Sequence, residues 1–196
     1  MDLVSLVDMS EEKFTQGNLI MLYANQRTKN LEARDLPMHI HERVNTCLNT
    51  FKLIKSSKPD KSEISIVIIS TLDDGKLVRD ILIQEGIDED TIRIDPSPKN
   101  ISETFDLAMR TIKPRVNPPH IYFICPFWLR DIYDSMVESK LKGYRVQFDG
   151  APDRRSVKVV EQEKILETPR KNSKHYKEWA KSKAVDMLLN YMFHEK

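Results

Sequence analysis

The alternation of short apolar runs with amphipathic stretches constrains the fold of this chain more than any other feature. Leu19–Tyr23 is continuously apolar, and Ile64–Ile69 reads I-S-I-V-I-I. Both runs have the length of a strand, and an unbroken apolar run is typical of a strand that is buried on both faces. Shorter patterns of the same kind predict further strands at Ile92–Ile94, His120–Ile124 and Tyr144–Phe148.

Between these runs, apolar residues recur every three or four positions, which predicts helices with one buried face. Four helices are predicted between the strands. The first begins at Pro37, the second ends at Glu85 with Gly86 as its stop, the third begins at Asn100, and the fourth spans Phe127–Leu141. Strands that alternate with helices indicate right-handed crossovers and a parallel sheet covered on both faces. We therefore predict an α/β fold: a doubly wound, mostly parallel Rossmann-like sheet of about five strands.

The predicted domain organisation is a Rossmann-like α/β domain over residues 1–152 and a C-terminal helical extension over residues 153–196. The first seventeen residues are predicted to form a short helix that ends at Gly17. The extension is basic, but it also carries an apolar stripe that needs burial. We expect it to pack on the domain through that stripe, which comprises Tyr176, Trp179, Met187, Leu188 and Tyr191.

Composition narrows the partners that the sequence favours. The formal net charge of the 196-residue chain is +1, so no global field draws it towards nucleic acid or a membrane surface. No stretch approaches the eighteen or so apolar residues of a membrane span, and the N-terminus lacks the basic start of a signal peptide. The two cysteines make neither a disulfide framework nor a metal-binding spacing. We expect a soluble, cytoplasmic protein with no metal site.

The stretch Ile92–Phe105 marks where a ligand would bind. A short strand pattern there runs into D-P-S-P-K-N and then into a helix start. Open α/β sheets hold their ligands beyond the carboxyl ends of the strands, so we expect the site at that edge. The sequence contains no G-x-G-x-x-G and no Walker A motif, and the cofactor is unknown.

From about Leu19 to Gly150, the order and spacing of these segments resemble the YdcF/SanA/ElyC-like domains of unknown function. The chain departs from that family at several glycines, where it has Tyr23, Ala24, Thr71 and Leu72. It also lacks the N-terminal membrane helix of many members. The positions that match the family's pattern are Asn25, Arg43, Ser70, Asp74, Asn100, Glu103 and Arg130.

The resemblance implies a small-molecule site built from these residues. Asn25, Ser70 and Asn100 would supply neutral hydrogen bonds, and Arg130 would pair with a negative charge on the ligand. Asp74 or Glu103 would be the acid/base candidate. Arg130 also stands out by itself, because a cation in the first turn of a helix opposes the helix dipole. We therefore expect its side chain to lie within reach of Glu103 or of a bound anion.

Structural alternatives stay open for most of these residues. Asn100 and Glu103 have the spacing of a capping box, and so have Thr71 and Asp74. Asn25 fits a turn, and Arg43 fits a salt bridge on a helix face. Cys125 is expected to pack in the core.

Two functions follow from the sequence. The first is a cytoplasmic protein of the YdcF-like family that binds an anionic or nucleotide-like small molecule, with an enzymatic activity left open. The alternative is a degenerate, non-catalytic interaction module of the same fold.

Overall fold

The computed structural model describes residues 17–25, 36–57, 63–112 and 118–167. The predicted N-terminal helix and the apolar stripe of the extension lie outside these ranges. The chain divides into two compact units, residues 1–154 and residues 155–196. In the second unit, one described helix spans Val157–Glu167, and Arg155, which precedes it, forms a two-pronged ion pair with Glu163 in its second half.

The first unit contains a sheet of five strands in the order β3-β2-β1-β4-β5. Every neighbouring pair is parallel, as the alternation of strands and helices predicts. The fold class is therefore confirmed as α/β with a parallel Rossmann-like sheet. The strands are β1 (Asn18–Tyr23), β2 (Ile64–Ile69), β3 (Ile92–Asp95), β4 (His120–Pro126) and β5 (Val146–Ala151).

Among the described residues, four helices connect the strands of this unit, and one further helix belongs to the second unit. Gly86 and Gly143 both adopt positive φ angles, 87° and 91°, just after α2 and α4. Glycine takes this left-handed conformation without steric cost, which is why both positions end a helix as predicted. The helices are α1 (Met38–Ser57), α2 (Leu72–Gln84), α3 (Ile101–Ile112), α4 (Arg130–Lys140) and α5 (Val157–Glu167).

The two faces of the sheet are covered by different helices. Alternate residues of β1 point to opposite faces, as a pleated strand requires. Leu19, Met21 and Tyr23 pack with α3 and α4 on what we call the aromatic face. Ile20 and Leu22 pack with α1 and α2 on what we call the aliphatic face. Helices on both sides make the sheet doubly wound.

The last strand differs from the predicted Tyr144–Phe148. It begins at Val146 and continues to Ala151, so Asp149 and Gly150 lie within it. The physical reason is the turn after α4, in which the amide of Tyr144 donates to the carbonyl of Leu141 at 3.0 Å. That bond holds Tyr144 in the turn. The predicted helix Phe127–Leu141 likewise begins as a short 3-10 turn, Phe127–Leu129, before α4 starts.

Candidate functional site

The strand order places a topological switch point between β1 and β4. From β1 the chain moves outwards through β2 to β3, and it then returns to the other side of β1 to form β4 and β5. Crossovers therefore leave β1 and β4 in opposite directions, which opens a crevice beyond their carboxyl ends. The ligand site predicted at this edge of the sheet is thus expected in the region beyond Tyr23 and Pro126.

The end of β1 is tied to the neighbouring strand and turn. The side-chain amide of Asn25 donates to the carbonyl of Pro98 at 3.0 Å. The hydroxyl of Ser70, which is 1% exposed, donates to the carbonyl of Ala24 at 3.3 Å. Asn25 and Ser70 therefore both lie at this edge, as the sequence predicts, and both bind backbone carbonyls there.

Asn100 caps the start of α3. Its side-chain oxygen accepts from the amide of Glu103 at 2.9 Å. Glu103 reaches back in return, but to the amide of Lys99 at 2.9 Å rather than to the amide of Asn100. Its other carboxylate oxygen accepts from the Asn100 side chain at 2.7 Å. The capping role of this pair is confirmed, with the reciprocal bond shifted by one residue.

Asp74 makes a similar arrangement at the start of α2. The hydroxyl of Thr71 accepts from the Asp74 amide at 3.3 Å and donates to its carboxylate at 3.0 Å. Both residues are exposed or half-buried. Asp74 and Glu103 thus lie at two different helix starts, each engaged with its own cap. Their catalytic role stays a prediction.

For Arg130, the expected contact with Glu103 is wrong, and the alternative of a bound anion stays a prediction. Its guanidinium bonds to Asp134, one turn further along α4, at 3.0 Å, and it lies over the ring of Phe148 at 5.1 Å from the centroid. The two charged side chains are 51% and 55% exposed. A carboxylate four residues away on the same helix offsets the unfavourable helix dipole. The cation therefore leans towards β5, and no contact with Glu103 accounts for it.

Arg43 is the charged residue that the structure places at the switch point. It lies in the second turn of α1 and is 1% exposed. Its Nη1 donates to the carbonyls of Tyr23 at 3.1 Å and Asn25 at 3.4 Å. The predicted salt bridge of Arg43 is present, with Asp153 as its partner, and the side chain is buried against the end of β1.

Asp153 is the acidic partner of Arg43 in this buried cluster. Its carboxylate lies 3.9 Å from Nη2 of Arg43, and the two side chains are 2% and 1% exposed. The same carboxylate oxygen accepts from the indole of Trp128 at 2.9 Å. Trp128 belongs to the 3-10 turn that follows β4. The cluster Arg43–Asp153–Trp128 therefore joins both walls of the crevice.

The sequence alone indicates only part of this cluster. The resemblance to the YdcF-like domains matched Arg43 with an arginine in the first turns of the family's helix. Nothing marked Asp153, which follows the last strand in a turn-like stretch, A-P-D-R-R. The two residues are far apart in the chain, and only the crossover of α1 brings them together.

Helix starts differ in how their free amides are satisfied. Thr71 and Asn100 cap α2 and α3 with side-chain oxygens. Among the described residues, no side chain caps the 3-10 turn Phe127–Leu129 or the start of α4.

The Cys47 thiol is not an activated nucleophile. Burial, helped by the nearby Asp149 carboxylate, raises the pKa of the Cys47 thiol to about 12. Cys125 is fully buried in the aromatic face, as predicted for a core residue. Within the described ranges, no three His, Cys, Asp or Glu side chains are grouped so that they could hold a metal ion.

Among the described helices, none is both long and apolar enough to cross a membrane. The comparisons with protein families, curated proteins and solved structures return no match to this chain.

Proposed function

We propose that this protein binds an anionic or nucleotide-like small molecule in the crevice between the carboxyl ends of β1 and β4. The observation that carries the proposal is Arg43, a cation buried at the switch point itself. Burying a charge is costly unless it is paired and hydrogen-bonded, and Asp153 with two backbone carbonyls holds Arg43 at this place. A phosphate or carboxylate of a ligand would be attracted by the same guanidinium.

The geometry of Arg43 supports this role. Two backbone carbonyls of the β1 end hold the Nη1 edge of its guanidinium. A guanidinium that is fixed in this way is pre-organised for two-pronged recognition of a planar or tetrahedral anion.

The proposal is for binding rather than for a reaction. Glu103 is engaged with two donors of its own cap, and Asp74 bonds to Thr71. An acid or base that serves in catalysis must reach the proton that it transfers. Neither carboxylate has a described contact with the Arg43 cluster, so an acid/base role would require a ligand that extends beyond the crevice.

We further propose that the chain is a divergent, cytoplasmic relative of the YdcF-like domains. The support is the sequence correspondence already given, together with a doubly wound sheet and polar residues at its carboxyl edge. Asn25, Ser70 and Asn100 belong to that edge and would shape the crevice. Arg130 contributes less, because its contacts are to Asp134 and the Phe148 ring.

A second candidate is a non-catalytic interaction module of the same fold. The observation that favours it is that Asn25, Ser70 and Asn100 bond to groups of the protein itself. Such bonds would stabilise the strand ends without any ligand. This candidate predicts a protein that folds stably and binds none of the small anions offered to it.

Calorimetric titration distinguishes the two candidates. The wild-type chain would be titrated with adenosine monophosphate, adenosine and inorganic phosphate in a phosphate-free buffer. We expect saturable binding of the two phosphate-bearing compounds, weakened at least tenfold in Arg43→Lys, because lysine keeps the charge but loses the planar fork. Arg110→Ala is the matched control, since Arg110 is exposed near the opposite end of α3. No saturable binding at millimolar concentrations would overturn the proposal.

A further inference from the structure

An aromatic ring stands at the carboxyl end of β4. Phe127 directly follows Pro126, the last residue of that strand, and it is 66% exposed. Exposed apolar residues that are scattered singly are ordinary on a protein surface. Phe127 differs from these, because it lies at the edge of the sheet where an open α/β fold binds its ligands, and because further aromatic and charged groups lie beside it.

The ring of Phe127 meets the backbone of β5 at Gly150. A Cβ atom at position 150 would lie 2.7 Å from Cδ2 of Phe127 and 2.8 Å from Cε1 of Phe148, which is closer than carbon atoms approach one another. Glycine at this position therefore allows both rings to lie over the same stretch of backbone. Phe127 is held there from one side and keeps most of its surface in contact with solvent.

A cation lies over the second of these rings. The guanidinium of Arg130 is 5.1 Å from the centroid of Phe148. Its ion pair with Asp134 joins side chains that are 51% and 55% exposed, and surface pairs of this kind contribute little stability. We call Phe127, Phe148 and Arg130 the aromatic platform. Aromatic side chains with an arginine beside them are the groups on which nucleic acid bases stack.

The turn that carries Phe127 is tied to the proposed anion site. Trp128, the next residue, donates from its indole nitrogen to Asp153 at 2.9 Å, and Asp153 is the ion-pair partner of Arg43. Arg43 lies at the end of β1, and the aromatic platform lies at the ends of β4 and β5. Because β1 and β4 are neighbours in the sheet, the two occupy adjoining positions on one edge.

We infer that Phe127 selects the ligand by stacking on the base of a nucleotide. The inference rests on the proposed function and narrows its ligand class: the charged group goes to Arg43, and the planar base goes to Phe127. Stacking is available to every base, since each has a π face, so the platform distinguishes a nucleotide from a bare anion rather than one base from another. A phosphosugar without a base lacks this contact.

The test compares ligands that differ in the base, by calorimetric titration of the intact chain. Adenosine monophosphate and ribose 5-phosphate share the sugar and the phosphate, and adenosine has the base without the phosphate. We expect the wild type to bind adenosine monophosphate about tenfold more tightly than ribose 5-phosphate. Phe127→Ala should abolish this preference and leave the affinity for ribose 5-phosphate within about twofold, whereas Phe127→Trp should keep the preference, because indole also stacks.

Leu72→Ala is the matched control. Leu72 is another exposed apolar residue at this edge of the sheet, 56% exposed, but it begins α2, which follows β2. The variant makes the same kind of truncation at a strand end that lies away from the aromatic platform. We expect its affinities for both phosphate-bearing ligands to stay within about twofold of the wild type.

The outcomes separate the inference from the proposed function. A preference for adenosine monophosphate that is lost only in Phe127→Ala supports both. Equal affinities of the wild type for the two phosphate-bearing ligands, or a preference that survives in Phe127→Ala or is lost equally in Leu72→Ala, overturns the inference alone. Adenosine bound as tightly as adenosine monophosphate, with both weakened in Phe127→Ala, supports the inference and overturns anion binding at Arg43. No saturable binding of any of the three ligands at millimolar concentrations overturns both.

Discussion

The two faces of the sheet are built on different principles. On the aromatic face, the rings of Phe105 and Phe123 stack with centroids 4.3 Å apart, and Tyr133 meets both of them edge-on. On the side of α1, polar groups interrupt the core, above all Arg43 and the bond between Thr50 and Asp149. One face is thus packed by stacked and edge-on rings, while the other combines aliphatic packing with buried polar contacts.

This difference teaches where a site can form in such a fold. Apolar packing stabilises in proportion to the area removed from water and tolerates no unpaired polar group. Buried charges add little net stability compared with apolar residues of the same volume. The charges near α1 lie next to the switch point, where the ligand site is proposed.

The largest expected effect is a truncation on the aromatic face. Phe105→Ala removes a fully buried ring that stacks on Phe123. It should lower the free energy of unfolding by about 3–5 kcal/mol, because transfer and cavity terms add. Urea unfolding would measure this, with Phe127→Ala as the control, since Phe127 is 66% exposed. Equal losses in the two variants would contradict the picture of a face built on ring packing.

A double-mutant cycle tests the buried charges near α1. Arg43→Met or Asp153→Leu alone leaves a buried partner without its counter-charge and should cost roughly 3–5 kcal/mol. The double variant should cost clearly less than the sum of the two single changes, because apolar residues can replace such a pair. Urea unfolding of all four proteins gives the coupling. Additive losses would mean that the 3.9 Å pair contributes no interaction of its own.

The change in the free energy of unfolding at alkaline pH tests whether the fold keeps the thiol on the aliphatic face protonated. The Cys47 thiol has its pKa raised by burial, and then by Asp149, from 9.0 to about 12. Between those values the unfolded chain has lost a proton that the folded chain keeps, so stability falls as pH rises through this window. The slope expected from one proton is about 1.4 kcal/mol per pH unit. Below pH 9 this contribution is fully present.

Cys47→Ala is the matched variant for that measurement. The difference in unfolding free energy between the wild type and this variant should be largest near neutral pH and should shrink above pH 9. Tyr122 and Tyr133, whose pKa values are also raised by burial, are present in both proteins and cancel. Parallel curves for the two proteins would show that the thiol is not held protonated by the fold.

The smallest expected effect is at the cap of α3, outside both faces. Asn100→Ala removes the oxygen that accepts from the Glu103 amide and should cost about 0.5–2 kcal/mol. Asn100→Asp keeps an acceptor and should cost less. If Asn100→Ala instead left stability unchanged and weakened adenosine monophosphate binding, Asn100 would face the ligand rather than serve as a cap.

The pattern of the sequence was enough for most of the fold. Strand-length apolar runs gave the bounds of β2 to the residue, Ile64–Ile69, and the two glycines that end α2 and α4 were readable from position alone. The start of β5 could not be predicted in this way, because Tyr144 fits a strand pattern as well as Val146 does. Only a hydrogen bond in the turn before it decides between them.

The residues of the candidate site likewise fall into two groups, those that a local sequence pattern predicts and those that it does not. The caps at Asn100 and Thr71 are local, so three-residue spacings predicted them. The partner of Arg130 was local too, since Asp134 stands four residues on, but the expectation of a distant carboxylate overlooked it. The cluster of Arg43, Asp153 and Trp128 could not be predicted in this way, because its members come from three separate segments of the chain.

The sequence by itself determined the class of fold, the alternation of its elements and the edge at which polar residues collect. These depend on the periodicity of apolar residues and on capping, which act over a few positions. Tertiary structure alone decided that Arg43 is buried, that Asp153 faces it and that Trp128 bonds to the same carboxylate. These depend on where the crossovers place distant segments, and no local pattern encodes that placement.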